Sequence, residues 1–371
     1  MSPELERAVV NVVLAVLPMA FTAFLLLGAL RAHVIAQDFH ESYYPAARRL
    51  IDGANPYVAT ASQIKHGMAF TYPPFAVVLF APFALLGRSR SDHVYMLLCL
   101  LAVPASVWAV GVRDWRAYGL PLLWLPVIVG WQGGNVSLPI LFLVALAWRW
   151  RDWPLRAGLV VAVAISLKTF AWPLGLWLLA TRRWRAGICA LASGTAINLA
   201  AWAIVGFNRI ESFLRVSGQL IDGQWRTGYS MLAVASHLGL TRGVGELLLL
   251  GGSAAVALAL LHQGFIRGRE RGAMVLTVAL MLIASPVVWS HYFVLLLVPI
   301  ALARPRVSRL WLLPVAIWVC PVTTPSGWQL ALAWAVAGGC LALALRKRPV
   351  GRRLADRRPY ESRPAEVVVA S

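Results

Sequence analysis

Asp38-Phe39-His40-Glu41-Ser42-Tyr43-Tyr44-Pro45-Ala46-Ala47-Arg48-Arg49 opens residues 38–74, the one stretch where this chain gathers carboxylates, tyrosines, histidines and arginines. It continues through Gly53-Ala54-Asn55-Pro56-Tyr57 and closes on Phe70-Thr71-Tyr72-Pro73-Pro74. The stretch follows directly on an apolar run over residues 8–30. Polar density at the exit of such a run marks a site in a membrane protein.

Working outward, the composition agrees. The 371 residues are 60% hydrophobic and 13% charged, with a mean hydropathy of +0.70. A soluble domain needs far more polar cover than that. Apolar runs of roughly 15–23 residues recur from end to end, close to the length that crosses ~30 Å of hydrocarbon at ~1.5 Å per residue. The expected fold is all-α and polytopic, with about a dozen crossings. The organisation expected is one transmembrane domain over residues 1–345, holding a first outer loop at 32–70 and a second at 207–228. A basic tail at 346–371 should be disordered and lie against anionic headgroups. The net charge of +19 sits in short arginine clusters between apolar runs, so these are loops held at one membrane face and nucleic acid is not an expected partner. Cys99, Cys189, Cys320 and Cys340 fall in or beside apolar stretches and read as small buried hydrophobes without a disulfide framework. The first apolar run is too long for a secretory h-region and is read as a retained span.

Along the chain, residues 43–51 have the spacing of a short surface helix, and Thr71 before two prolines suits a helix start, giving a second span at 71–86. Further spans are read at 93–112, 186–205, 246–265, 273–284, 292–302, 310–319 and 328–345, with a short helix at 230–238. Two short apolar pieces, 120–131 and 136–148, flank Gln132-Gly133-Gly134-Asn135, and the run 157–180 is interrupted by Lys168. The distribution of basic residues places the N-terminus, Arg88 and Arg90 in the cytoplasm, together with the clusters at 182–185, 267–271, 304–309 and the tail. By the same count the loops around Asp38 and Arg226 face outward. Between Arg113 and Lys168 the rule fails for full-length spans. Short, glycine-broken helices ending part way through the bilayer would resolve it, and such breaks line cavities.

Few residues here could carry chemistry. Asp38, just beyond a span, could deprotonate a hydroxyl held within ~3 Å; the alternative is a solvated interfacial carboxylate. Glu41 would share a helical face with it as a second acid or base, or sit on a solvated surface. Lys168 in an apolar run calls for an anionic partner, and a phosphate would serve. His291, after a proline at a helix boundary, and Arg226, in the second loop, are further candidates for a phosphate oxygen. Tyr72, Trp131, Trp289 and Trp328 read as membrane-belt aromatics or as sugar-stacking groups. No phosphate-cradling glycine loop, zinc spacing or Ser-His-Asp arrangement is present. No cofactor or divalent metal is expected, since Asp38 and Glu41 make an incomplete cage for Mg²⁺.

These residues together resemble glycosyltransferase family 87, a family of polytopic enzymes with the GT-C fold. The first-loop pattern is Asp38, Tyr44, Ala46, Ala47 and Gly53-Ala54-Asn55-Pro56-Tyr57, followed by Phe70-Thr71-Tyr72-Pro73-Pro74. A break at Gly134-Asn135, Leu167-Lys168 ahead of the arginines at 182–185, and Ser285-Pro286-Val287-Val288-Trp289-Ser290-His291 complete it. The chain departs from the family where Thr169 replaces a common proline, Tyr292 a second histidine, and Gly228-Tyr229-Ser230 an Asn-Gln-Ser type element. The resemblance implies a GT-C bundle of about 12 transmembrane helices. It implies inverting transfer of a sugar, usually mannose, from a polyprenyl-phosphate donor to a lipid-linked or glycan acceptor on the outer face of a bacterial plasma membrane. Arabinofuranose is the known variation. It implies Asp38 as base, with Lys168, His291 and Arg226 on the donor phosphate, and Tyr44, Tyr57, Tyr72, Asn135 and Trp289 lining the substrate. A lipid-linked sugar transporter or flippase would share broken helices and a buried cation, but the two halves of this sequence show no two-fold similarity.

Overall fold

In the computed structural model the described residues are 2–32 and 35–346, so the expected tail beyond Arg346 lies outside them. Every regular element among them is helical. In chain order these are α1 (Pro3–Arg31), α2 (Tyr44–Ile51), α3 (Ala61–Lys65), α4 (Pro74–Ala84), α5 (Arg88–Val110), α6 (Arg116–Gly119), α7 (Leu125–Gln132), α8 (Ser137–Arg149) and α9 (Pro154–Leu167). There follow α10 (Pro173–Ala180), α11 (Trp184–Val205), α12 (Ile210–Gln224), α13 (Met231–His237), α14 (Arg242–Leu261), α15 (Glu270–Ile283), α16 (Leu297–Ala303) and α17 (Gly327–Leu345). Tighter 3₁₀ turns connect several of these, over Ser290–Leu296 and Arg309–Val319 among others.

Five helices are long and apolar enough to cross a membrane, or six if α7 and α8, bent by 117° at their junction, count as one broken span. Shorter apolar helices of 10–17 residues fill the rest of the bundle. Full-length helices therefore do not supply the dozen crossings expected. The break at Gly133 to Val136 and the one at Lys168 were expected and are present, because glycine in one and an extended lysine in the other end each helix early.

Two expectations are corrected. Thr71 caps nothing: Pro73 is extended (ψ 160°), α4 begins at Pro74, and its 11 residues are too short to cross. Instead α4 runs beside the Asp38 loop, with Tyr43 stacked on Phe80 at 4.8 Å and Phe39 edge-on to Phe83 at 5.7 Å. Residues 207–228 are not a loop but mostly α12, whose Phe213, Leu214, Ser217, Leu220 and Ile221 recur at helical spacing along one face while Arg209, Glu211, Arg215 and Asp222 hid that period.

Contacts separate the two ends of the bundle. From Asn135, which touches Asp38, α8 leads ~20 Å away to Arg149, whose guanidinium lies 4.0 Å above the Trp108 ring near the end of α5. At that far end Arg183 bridges Asp152 (2.9 Å) and Glu270 (2.8 Å), and Asp114 accepts from the Val307 N–H at 2.9 Å. The arginine clusters at 113–116, 149–156, 182–185, 267–271 and 304–309 thus gather there, and the broken helices remove the conflict between Arg113 and Lys168. Arg88 is the exception. Its Nη2 donates to the His40 carbonyl at 3.2 Å, placing it at the Asp38 end and not with the other clusters. The core between the ends is tryptophan-rich: Trp124, Trp131, Trp177 and Trp311 are fully buried, so Trp131 is no belt residue, whereas Trp328 is exposed as a belt residue would be.

Candidate active site

Three helix breaks and the loop that follows α1 meet around one cavity of about 960 Å³. Asp38 is fixed there by its own backbone. Ala36 takes a left-handed conformation (φ 50°), rare for a residue with a side chain, and its N–H donates to the Gln132 carbonyl at 2.6 Å. Two residues on, the Asp38 N–H donates to the Gly133 carbonyl at 2.8 Å. Gly134 (φ 60°) lets the two segments approach: a Cβ there would stand 3.0 Å from that of Ala36. The glycine break therefore exists to receive the loop. The buried Asn135 side chain completes the attachment, its Nδ2 donating to Asp38 Oδ2 and its Oδ1 accepting from the Ser137 N–H at 2.9 Å. Asp38 keeps its second carboxylate oxygen free of protein donors among the described residues. Burial pushes the Asp38 carboxyl above the usual carboxylate range, while the Asn135 hydrogen bond and the Lys168 charge act in the opposite direction.

Lys168 lines the same cavity. As the extended residue that ends α9, it turns its Nζ into a box of rings, 4.2 Å from Tyr292, 5.1 Å from Tyr72 and 5.3 Å from Phe170. Such faces attract a cation, but no carboxylate lies within ion-pair range of it among the described residues. His291 is buried at the end of the Ser285-to-His291 element, with Nε2 lacking a hydrogen-bond partner among the described residues. Tyr72 is held by the Tyr43 hydroxyl at 2.8 Å. Around this polar centre the walls are apolar, supplied by Phe24, Leu25 and Gly28 of α1 and by Phe213, Leu214 and Ile221 of α12. A cavity with a carboxylate, an ammonium and greasy walls suits a substrate that joins a polar head to a lipid.

Of the residues expected at the site, Asp38, Tyr72, Asn135, Lys168, Trp289 and His291 line the cavity. Four do not. Glu41 is exposed, and its carbonyl accepts from Gln63 Nε2 at 3.1 Å. Tyr44 packs edge-on to Phe39, and the fully buried Tyr57 donates its hydroxyl to the Tyr72 carbonyl at 3.1 Å, so both shape the loop from behind. Arg226 is exposed in the turn after α12, its guanidinium 4.8 Å above the Trp225 ring and outside the cavity. Missed in the sequence were Tyr292 and Phe170 of the lysine box and the α12 wall. The helical period of residues 213–221 was the available signal for the last.

Apolar helices broken around a pocket of this kind define a multi-pass membrane enzyme. Residues 70–286 match the model of glycosyltransferase family 87, and the chain belongs to that family. It is a membrane glycosyltransferase. The match begins after Asp38 and ends before His291, so the geometry of those two residues rests on the structure. Similar proteins include the polyprenol-phosphate-mannose-dependent alpha-(1-2)-phosphatidylinositol pentamannoside mannosyltransferase of Mycolicibacterium smegmatis, 28% identical over 75% of this chain and 67% of the relative. The polyprenol-phosphate-mannose-dependent alpha-(1-2)-phosphatidylinositol mannoside mannosyltransferase of Mycobacterium tuberculosis is 27% identical over 69% of this chain and 67% of its own length. The Mycolicibacterium smegmatis enzyme of that second name is 24% identical over 82% of this chain and 73% of the relative. No solved structure matches the chain.

Proposed function

We propose that this chain transfers mannose, with inversion, from a polyprenyl-phosphate-linked donor to a glycolipid or lipoglycan acceptor at the outer face of a bacterial plasma membrane. One observation carries the reading: a carboxylate with one oxygen free of protein donors and an ammonium with no carboxylate in ion-pair range, among the described residues, share a cavity walled by apolar helices. The names of the relatives supply the sugar and its carrier.

In the reaction Asp38 takes the proton of the acceptor hydroxyl as its oxygen attacks C1 of the sugar. The C1–O bond to phosphate breaks on the opposite side, and polyprenyl phosphate leaves with the electron pair. Lys168 meets that growing negative charge from its box of rings, and the unpartnered Nε2 of His291 donates to a phosphate oxygen when protonated. Cations aimed at developing charge in a water-poor site stabilise a transition state more than a ground state. Inversion at C1 means that an α-linked product comes from a β-linked donor. The far end of the bundle, where the arginines gather, faces the cytoplasm by the excess of basic residues, which turns Asp38 outward. Lys168 supplies the charge that a divalent ion would otherwise bring to the phosphate, so the reaction proposed runs without one.

The test is direct. Purified protein in lipid nanodiscs, given polyprenyl-phosphate mannose and a phosphatidylinositol mannoside, is expected to form one new α-mannosidic bond with no ion gradient, read by mass spectrometry and NMR. Movement of the donor across the bilayer with no new bond would favour a flippase and overturn the reading.

A further inference from the structure

The cavity has a fixed ceiling that the reaction above does not use. Three non-helical segments meet there: the Gly228 N–H donates to the Thr323 carbonyl at 2.5 Å, the Tyr229 N–H to that of Val288 at 2.7 Å, and the Ser290 N–H to that of Val322 at 3.3 Å. Trp289 lies in the middle of this network, half-buried and lining the cavity. Its ring is wedged between two glycines from distant parts of the chain. A Cβ on Gly67 would stand 2.8 Å from Trp289 Cζ2, and one on Gly228 3.2 Å from Cε3. Both glycines are left-handed, at φ 74° and 72°. A side chain at Gly67 would displace the indole, and one at Gly228 would strike the Val288 carbonyl first and the indole next, so the first outer loop and the segment after α12 jointly border that ring.

We infer that Trp289 is the surface on which the transferred sugar lies, and that Gly67 and Gly228 are positioning residues that hold the ring at the height the sugar requires. The inference rests on the proposed reaction and deepens it. A sugar bonded to a phosphate must sit within one ring's width of it, and Trp289 is two residues from His291 in the chain. The C–H face of a pyranose packs on an aromatic ring through dispersion and desolvation, contacts that a bare lipid phosphate cannot make. The clamp therefore contributes to recognition of the sugar and not of its carrier.

Gly239 provides the control, since it has the same left-handed φ of 72° and nothing within 4 Å of its Cβ position. Gly67→Ala and Trp289→Leu are expected to lower kcat/KM for polyprenyl-phosphate mannose by about tenfold or more. Inhibition by polyprenyl phosphate, which carries no sugar, should stay at the wild-type level in both. Gly239→Ala should change neither, and Gly67→Ala combined with Trp289→Leu should be no worse than Trp289→Leu alone. Equal loss of polyprenyl phosphate inhibition, an unchanged kcat/KM, or an equal defect in Gly239→Ala would overturn the inference. Should Gly67→Ala fail to fold, Trp289→Leu and Trp289→Phe read the same two quantities, and the phenylalanine should retain more transfer than the leucine. Failure of the underlying reaction would show earlier and separately, as a wild-type protein that forms no mannoside.

Discussion

Replacing Asn135 isolates what holds the proposed base in place. Its Nδ2 gives Asp38 Oδ2 its one side-chain hydrogen bond among the described residues, and its Oδ1 accepts from the Ser137 N–H at the start of α8. A hydrogen bond to a charged group contributes about 1.5–3 kcal/mol. If that energy goes into aligning the carboxylate, Asn135→Ala should lower kcat by about 10- to 150-fold, at 1.36 kcal/mol per tenfold. The pH profile gives an independent reading. A base acts deprotonated, so transfer rises with pH through the Asp38 pKa, which burial has already raised. The Asn135 hydrogen bond lowers that pKa, so its loss should displace the acidic limb further upward. Asn135→Asp keeps an oxygen for the Ser137 N–H while removing the donor, and should move the limb at least as far. The assay is transfer of labelled mannose by purified protein at saturating donor and acceptor between pH 4 and pH 9. A kcat within about threefold of wild type, with an unmoved limb, would refute the reasoning.

Further predictions concern the rest of the site and its frame. Lys168→Met should cost about 10²–10³-fold in kcat/KM for the donor, measured by donor titration, because the leaving phosphate loses its nearest cation. Arg226→Ala should leave that quantity at the wild-type level, its guanidinium being stacked on Trp225 outside the cavity. At the far end, Asp114 is paired with Arg116 at 2.9 Å and accepts from the Val307 N–H, and the Arg116 hydrogen bond holds its carboxyl below the usual range. Its contribution to stability is therefore full above the unfolded-state pKa and fades as pH falls through the lower folded one. Asp114→Ala should cost about 1–3 kcal/mol near neutral pH, read as faster thermal inactivation in detergent, and progressively less in acid. Chelation with EDTA should leave transfer unchanged.

Much of the site could be read from the chain because a membrane protein leaves so few polar residues to choose among. Asp38 beyond a span, Lys168 inside an apolar run and the Gln132-to-Asn135 break all stood out against greasy sequence, and the structure brings them together. Composition could not say which polar residues turn inward. Tyr57 and Tyr44 belong to the same motif as Asp38 yet support it from behind, and Glu41 lies on the solvent side of a turn whose π-helical winding no spacing rule anticipates. By residue type alone Arg226 is as good a phosphate ligand as Lys168; what separates them is place, since Lys168 lines the cavity and Arg226 is exposed outside it. Counting arginines groups the described clusters at 182–185, 267–271 and 304–309 at one end of the bundle, but it misplaces Arg88, which contacts the His40 carbonyl at the Asp38 end. The α12 wall was hidden by reading charge before period.

The measurement that bears hardest on the reaction is transfer by Asp38→Asn. The amide keeps the shape of the carboxylate but cannot take a proton, so labelled mannose transfer should fall by roughly 10²–10⁴-fold while the protein remains folded and retains wild-type affinity for polyprenyl phosphate. Transfer within tenfold of wild type at full occupancy would mean that the proton leaves by another route and that Asp38 is not the base.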